Sequence, residues 1–163
     1  MRGLVIWAQI KCRSVMELYR QMSVELKVPL LVPIWHEKPL GADIRKDVGF
    51  KNDEFADIPF VVVGDDFDKG VRLIEEYKEW RHIFCVYQNA SVFRRLIIEA
   101  KRRTGAVGVM REAPCNMNNG VKGMLKECYL RFFLKKRLHE VTANADFFVN
   151  YSGNDEQYLS SIG

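Results

Sequence analysis

Six short apolar segments, separated by stretches with helical periodicity, constrain this fold more than any other feature of the chain. The segments cover residues 3–9, 28–35, 59–64, 82–88, 106–110 and 146–151. Continuous apolar runs of this length are typical of strands that are buried on both faces of a sheet. Helices between successive strands favour parallel pairing, because parallel strands need long crossover connections. The pattern predicts an α/β fold: a Rossmann-like, doubly wound, mostly parallel six-stranded sheet with helices on both faces.

Local signals mark where the helices between these strands begin and end. Ser14 begins the first helix, and Glu17, three residues later, completes a capping box. Ser91 caps a later helix, which Gly105 ends. The predicted helices cover residues 14–26, 66–80, 91–104 and 121–143, and a short last helix ends at Gly163.

Two parts of the pattern are less regular. The two prolines in residues 28–35 indicate an outer strand, or a strand with irregular ends. Residues 36–56 are polar and aperiodic, and a structureless connection of this length is often functional. A short hairpin or helix within this connection is the alternative.

Length and composition point to one globular domain. With 163 residues, 48% hydrophobic and 28% charged, residues 1–163 are expected to form a single Rossmann-like domain. No apolar run reaches the ~18–20 residues of a spanning helix, and the first apolar run is interpreted as a strand and not as a signal peptide. The four cysteines form no C-x-x-C pair, which predicts free thiols in a reducing, cytoplasmic compartment.

The charge excess is mild, at +4. It permits anionic ligands or a membrane surface, but it does not call for nucleic acid, and we expect no nucleic-acid partner. The basic helix predicted over 121–143 has two interpretations. It is either a core helix with a solvated basic side, or a helix that lies on an anionic membrane.

Several well-known catalytic and binding motifs are missing from the sequence. There is no G-x-G-x-x-G, no phosphate-binding loop, no H-E-x-x-H and no G-x-S-x-G. The histidines, His36, His82 and His139, lie in different elements without metal-ligand spacing. We therefore expect no metal site, and each histidine is predicted to be a surface or helix-end residue.

Candidate site residues follow the predicted strands, because ligands of such sheets bind beyond the carboxyl ends of the strands, where the strand order reverses. Asp65 and Asp66 follow the third strand, where they either bind a ligand such as a metal or phosphoryl group or only begin the next helix. Gln88 and Asn89 end the fourth strand, as hydrogen-bond partners of sugar hydroxyls or a phosphate, or as turn residues.

Further candidates follow the fifth strand. Arg111 is predicted to donate to an anion, and Glu112 to act as a base or hydroxyl acceptor. A solvated charge pair is the alternative. Asn116 and Asn118 supply polar side chains for ligand contact, or only a cap and turn.

The second half of the chain carries a recognisable order of motifs. A strand–helix–strand unit (HIFCVYQ, helix, AVGVM) precedes a long helix, and Ala145-Asp146 then leads through FFVNY to Ser152 and to a polar helix ending L-x-x-x-G. This order resembles the N-terminal half of GT-B glycosyltransferases, which use a nucleotide-sugar and often build bacterial surface polysaccharide.

The resemblance implies a function and its partners. A GT-B enzyme has two Rossmann-like domains, and this chain resembles the acceptor-side domain without its C-terminal, donor-binding partner. The parent enzyme would transfer a sugar from a nucleotide-sugar to a saccharide or lipid-linked acceptor, at the inner face of the membrane. This domain would bind no cofactor of its own, and alone it is expected to show no turnover.

The resemblance also implies roles for particular residues. Lys11 and Arg13 supply charge where the family often has glycines near the donor phosphates. Gln88, Asn89 and Glu112 occupy places where many members have a catalytic histidine or its neighbours, and we assign them to catalysis. We also assign substrate binding to residues beside the strand ends, some from their position and some from the resemblance. These are Lys11, Arg13, Asp65, Arg111, Asn116, Asn118 and Ser152.

Two other classes of protein share this pattern. One is a self-contained flavodoxin-like or receiver-like binding module, although a receiver needs an acidic pair after the first strand and a lysine after the fifth. Here those places hold Gln9, Lys11 and Arg111. The other is an interaction domain without a small-molecule site. A native reading frame that ends at Gly163 would favour the binding module.

Overall fold

The computed structural model of this protein describes residues 2–10, 13–36, 56–85, 91–110 and 135–149. The strands are β1 (Leu4–Ile10), β2 (Leu30–His36), β3 (Phe60–Val62), β4 (Arg81–Phe84), β5 (Val107–Met110) and β6 (Phe147–Val149). The helices are α1 (Arg13–Leu26), α2 (Phe67–Glu76), α3 (Ser91–Thr104) and α4 (Lys135–Thr142). Each of the six predicted strands is confirmed. The predicted helices over 14–26 and 91–104 are confirmed, whereas α2 ends four residues before the predicted 80.

The strands form one six-stranded sheet in the order β3-β2-β1-β4-β5-β6. All five pairings are parallel. The predicted fold class, a Rossmann-like α/β sheet, is therefore confirmed. A flavodoxin-like or receiver-like sheet has the order 2-1-3-4-5, with β3 beside β1. Here β4 lies beside β1, so the flavodoxin-like form of the alternative does not match this chain.

Both faces of the sheet are buried, as the continuous apolar runs predict. In β1, Val5 and Trp7 belong to one core cluster, together with residues of α2, α3 and α4. The alternate residues, Leu4, Ile6 and Ala8, belong to a second cluster with residues of α1. Because successive side chains of a strand point to opposite faces, helices lie on both sides of the sheet.

The helices α2 and α3 approach each other closely through a glycine. A Cβ atom at Gly70 would lie 2.5 Å from Cδ1 of Leu96, so only glycine permits this spacing. Each of the two helices follows a parallel strand, and both therefore begin at the carboxyl edge of the sheet. Gly105, with a φ of +74°, ends α3 as predicted, and its N–H donates to the carbonyl of Lys101 at 3.1 Å.

The prolines of the second strand predicted either an outer strand or irregular strand ends. The outer position is wrong, since β2 lies between β1 and β3. Pro33 pairs with Val61 of β3. On either side of it, β2 keeps its pairing with β1 through Leu31 with Val5 and Ile34 with Ala8. A proline removes one backbone donor, and a strand paired before and after that point tolerates the loss.

The prediction of a surface position for His82 is also wrong, because this histidine is completely buried. Its Nδ1 accepts a hydrogen bond from the indole Nε1–H of Trp7 at 3.1 Å, and its Nε2 lies 3.1 Å from the carbonyl oxygen of Tyr77. The acceptor role of Nδ1 assigns the proton to Nε2. Burial lowers the pKa of His82 to about 4, so the ring is neutral at pH 7. By contrast, His139 is exposed on α4, as predicted.

Within the described segments, no helix is both long and apolar enough to cross a bilayer.

Candidate functional site

The strand order reverses between β1 and β4, which are neighbours in the sheet. From β1 the chain runs outward to β2 and β3, and from β4 it runs the other way to β5 and β6. Trp7 pairs with Phe84, and the N–H of Cys85 donates to the carbonyl of Trp7 at 2.8 Å. Open α/β sheets bind their ligands at such a reversal, beyond the carboxyl ends of the strands. The candidate site therefore lies where β1 leads to α1 and β4 leads to α3.

A buried hydrogen bond joins α1 to the end of β4 beneath this region. The hydroxyl of Tyr19, on α1, donates to Sγ of Cys85 at 3.1 Å, directly after β4. Both side chains are buried, and Cys85 is a free thiol as predicted. This contact holds α1 against β4. Among the described side chains, no group of three His, Cys, Asp or Glu residues is placed to hold a metal ion.

At the same edge of the sheet, a tryptophan of β2 and an aspartate of the turn after β3 form a pair. Trp35 lies near the end of β2, and its Nε1–H donates to Oδ1 of Asp65 at 3.0 Å. Gly64, with a φ of +62°, makes the turn after β3 that brings Asp65 back toward Trp35. Asp65 is exposed and Trp35 is half-buried. In the described part of the chain, no cation forms an ion pair with Asp65.

The neighbouring carboxylate has a structural role. Asp66 is the N-cap of α2, and its side chain accepts the backbone N–H of Lys69 at 2.9 Å. The prediction of an acidic helix start is therefore confirmed for Asp66. Asp65 takes no part in this cap, and its Oδ1 instead accepts the indole N–H of Trp35.

An arginine and a phenylalanine form a second pair beside the first. Phe67 is the first residue of α2, two residues after Asp65, and Arg95 lies in the second turn of α3. The guanidinium carbon of Arg95 lies 3.9 Å from the centre of the Phe67 ring. Arg95 is exposed, and none of the described carboxylates forms an ion pair with it. Trp35, Asp65, Phe67 and Arg95 together are called the carboxyl-edge rim below.

Most predicted site residues lie outside the described residues. Asp65 is described in full, and Arg13 is the first residue of α1, with only its backbone described. The remaining predicted residues, Lys11, Gln88, Asn89, Arg111, Glu112, Asn116, Asn118 and Ser152, lie outside the described segments.

Three residues of the rim, Trp35, Phe67 and Arg95, were not predicted from the sequence. The signal was present for Trp35, because it ends a predicted strand and the carboxyl ends of parallel strands meet at one edge. Arg95 lies one turn after the start of a helix that begins at that same edge. Its contact with Phe67 depends on the close packing of α2 against α3, which the sequence pattern does not reveal.

Asp146, part of the motif that suggested a family resemblance, lies at the opposite edge of the sheet, directly before β6. Its Oδ2 accepts the N–H of Val107, the first residue of β5, at 2.7 Å. Its own N–H donates to the carbonyl of Val107 at 2.7 Å, and Oδ1 pairs with Lys101 of α3. The ion pair with Lys101 and the bond from Val107 lower the pKa of Asp146. Asp146 therefore joins β5, β6 and α3 and has a structural role.

Comparisons of this chain with protein-family models, with curated proteins and with solved structures found no match. The strand order and the residues at the carboxyl edge are therefore the features from which a function can be inferred.

Proposed function

We propose that this chain is the acceptor-side domain of a GT-B glycosyltransferase. In this proposal the parent enzyme transfers a sugar from a nucleotide-sugar to a saccharide or lipid-linked acceptor, in bacterial surface polysaccharide synthesis at the inner face of the membrane. The observation that carries the proposal is the reversal of strand order between β1 and β4 in an all-parallel sheet. Such a reversal opens a ligand-binding crevice at one edge of the sheet.

Two further observations support the proposal. The rim at the carboxyl edge combines aromatic surface with a carboxylate and a guanidinium, which suits a polar ligand with apolar faces. The Ala145-Asp146 motif of the resemblance also has a physical explanation, because Asp146 secures the last described strand to its neighbour. A motif residue with a structural role is compatible with a fold shared across a family.

The proposal assigns the chemistry to residues that follow the strands. The acceptor hydroxyl forms a bond to the anomeric carbon of the donor sugar, while the bond from that carbon to the nucleoside diphosphate breaks. Glu112 takes the hydroxyl proton, and Gln88 and Asn89 hold the reacting sugar by hydrogen bonds. Lys11 and Arg13 balance the charge of the diphosphate that leaves. The donor itself would be held by a second domain.

The test is an assay of nucleoside diphosphate release with a panel of nucleotide-sugars and saccharide acceptors. The product of the whole native reading frame is compared with the 163-residue chain. The proposal expects acceptor-dependent release by the whole product and none by the chain alone. A reading frame that ends at Gly163, without a partner subunit that binds the donor, would contradict it. Turnover by the 163-residue chain alone would also contradict it.

A matched pair of variants tests the assignment of the base in the active protein. Glu112→Gln removes the proton acceptor and is expected to lower kcat by about 10²-fold or more. Glu140→Gln makes the same change on the exposed surface of α4 and is expected to leave kcat unchanged. Equal activity of the two variants would remove Glu112 from the mechanism.

A further inference from the structure

We infer that the carboxyl-edge rim is a saccharide-binding subsite, in which Trp35 and Asp65 receive the sugar and Arg95 adds a hydrogen-bond donor. This inference deepens the proposed function and rests on it, because it identifies the surface that receives the acceptor. The ligand class is a neutral saccharide with adjacent hydroxyl groups.

The pairing of Trp35 with Asp65 prepares both side chains for a sugar. The bond from the indole Nε1–H to Oδ1, at 3.0 Å, fixes the plane of the ring and the position of the carboxylate together. Trp35 is half-buried and packs against the core on one side, and the exposed part of its indole offers apolar surface to the C–H face of a pyranose. An ionised carboxylate accepts about four hydrogen bonds, so Asp65 keeps acceptor sites for sugar hydroxyls after it has bound the indole.

The pairing of Arg95 with Phe67 adds the complementary donors. The guanidinium carbon lies 3.9 Å from the ring centre, so the ring restrains the arginine without using its N–H groups. Arg95 is exposed, and within the described segments no carboxylate takes up these donors. A sugar hydroxyl both donates and accepts hydrogen bonds. It therefore suits a surface on which one pair supplies the acceptor Asp65 and the other supplies the donor Arg95.

The local charge favours a neutral ligand over an anion. Asp65, Asp66 and Asp68 are exposed at the beginning of α2, and these three carboxylates outnumber Lys69 in the same turn and Arg95 of the rim. A phosphate or carboxylate ligand that met Arg95 would lie near these carboxylates and would be repelled. Neutral hydroxyl groups carry no such penalty.

The test follows the indole N–H signals of the protein by NMR during titration. The sequence has three tryptophans, and Trp7 is completely buried in the core. Trp35→Phe assigns the signal of Trp35. The probes are glucose, galactose, mannose, N-acetylglucosamine and cellobiose, with inorganic phosphate as the anionic probe. We expect at least one saccharide to shift the Trp35 signal with millimolar affinity, while the signals of Trp7 and Trp80 stay in place.

Variants of the rim identify the contacts. Asp65→Ala and Arg95→Gln are each expected to weaken saccharide binding by about tenfold, because each removes a charged hydrogen-bond partner. Asp68→Asn, a change of charge in the first turn of the same helix, is the control and is expected to leave binding unchanged. Affinities that match the wild type in both rim variants would overturn the inference. So would a Trp35 signal that no saccharide moves, or that only phosphate moves.

The outcome is separable from that of the proposed function. Sugar transfer by the whole native protein together with a Trp35 signal unmoved by saccharides would keep the glycosyltransferase and remove this subsite. A saccharide response that depends on Asp65 and Arg95, without transfer by the whole native protein, would leave a saccharide-binding domain and remove the transferase.

Discussion

At the amino edge of the sheet, Asp146 uses both of its carboxylate oxygens within the protein, one on Lys101 and one on the N–H of Val107. At the carboxyl edge, Asp65 gives one oxygen to the indole of Trp35 and, in the described part of the chain, pairs with no cation. The two aspartates are of one chemical type, and each lies next to a strand end. They differ in how much of their hydrogen-bonding capacity the fold already uses.

The two edges differ in which polar atoms are already engaged within the protein. At the amino edge, His82 likewise has both ring nitrogens engaged, by Trp7 and by Tyr77. Side chains whose polar atoms are satisfied internally contribute to the folded state and offer nothing to a ligand. At the carboxyl edge, Asp65 and Arg95 keep unused acceptors and donors on an exposed surface. Parallel sheets generally bind ligands at their carboxyl edge, and the two side chains with unused hydrogen-bonding capacity lie at that edge.

The largest expected effect is at His82. His82→Leu leaves both the buried indole N–H of Trp7 and the carbonyl of Tyr77 without their partner, and it is expected to lower the free energy of unfolding by about 2–4 kcal/mol. His139→Leu, on the exposed surface of α4, is expected to change it by less than about 0.5 kcal/mol. Urea denaturation of the two variants measures the difference. Equal losses in the free energy of unfolding for the two variants would mean that His82 is not a buried hydrogen-bond partner of Trp7.

The pH dependence of stability provides a second measurement at His82. Because burial lowers its pKa from 6.5 to about 4, the unfolded chain binds the proton more readily than the native protein. The stability due to the neutral ring is complete above pH 6.5 and is lost as the pH falls from 6.5 toward 4. Between pH 7 and pH 5 the free energy of unfolding is expected to fall by about 2 kcal/mol.

Variants show whether this pH dependence belongs to His82. His82→Gln should flatten the curve between pH 7 and pH 5, since it removes the titrating group. His139→Gln should keep the slope of the wild type. A slope that survives His82→Gln would assign the titration to another group.

A smaller effect is expected at Asp146. Asp146→Ala removes the acceptor of the buried Val107 N–H and the partner of Lys101, and it is expected to cost about 1–3 kcal/mol. Lys101→Met removes the half-exposed ion pair together with a hydrogen bond to the carbonyl of Gly105, and it is expected to cost less than about 1 kcal/mol. Chemical denaturation measures both. If Lys101→Met lowered the free energy of unfolding as much as Asp146→Ala, the contacts of Lys101 would be the main contribution and the backbone contact with Val107 a minor one.

The smallest effect on stability is expected at Asp65. Asp65→Ala breaks one exposed hydrogen bond, and the free energy of unfolding is expected to change by less than about 1 kcal/mol. A loss as large as that of Asp146→Ala would remove the contrast between the two edges. The same variant then serves in the saccharide titration, because its folded state is expected to be intact.

The sequence pattern predicted the elements well because their signals are local. Asp66 caps α2 through a bond to the backbone three residues away, and Gly105 ends α3 by its own backbone conformation. The continuous apolar runs predicted strands that are buried on both faces, and β1 divides its side chains between two core clusters in this way. Each signal acts within a few residues and can therefore be read along the chain.

The candidate site was predicted only in part. Its edge of the sheet followed from parallel topology, and Asp65 was named as a candidate at that edge. Trp35, 30 residues before Asp65, was missed because nothing near it in the sequence indicates the partner of its indole. The burial of His82 was missed for the same reason, since Trp7 precedes it by 75 residues.

The amino-acid sequence by itself determined the alternation of strands and helices, the two-faced burial of the strands, the beginning of α2 and the end of α3. These features follow from side-chain polarity and backbone preferences over a few neighbouring residues. Only the tertiary structure decided that β4 lies beside β1, that His82 is buried as a neutral hydrogen-bond partner, and that Asp146 engages both carboxylate oxygens whereas Asp65 bonds to Trp35 through one. Each of these depends on which distant segments pack together, and the free energy of that packing is a property of the whole sheet.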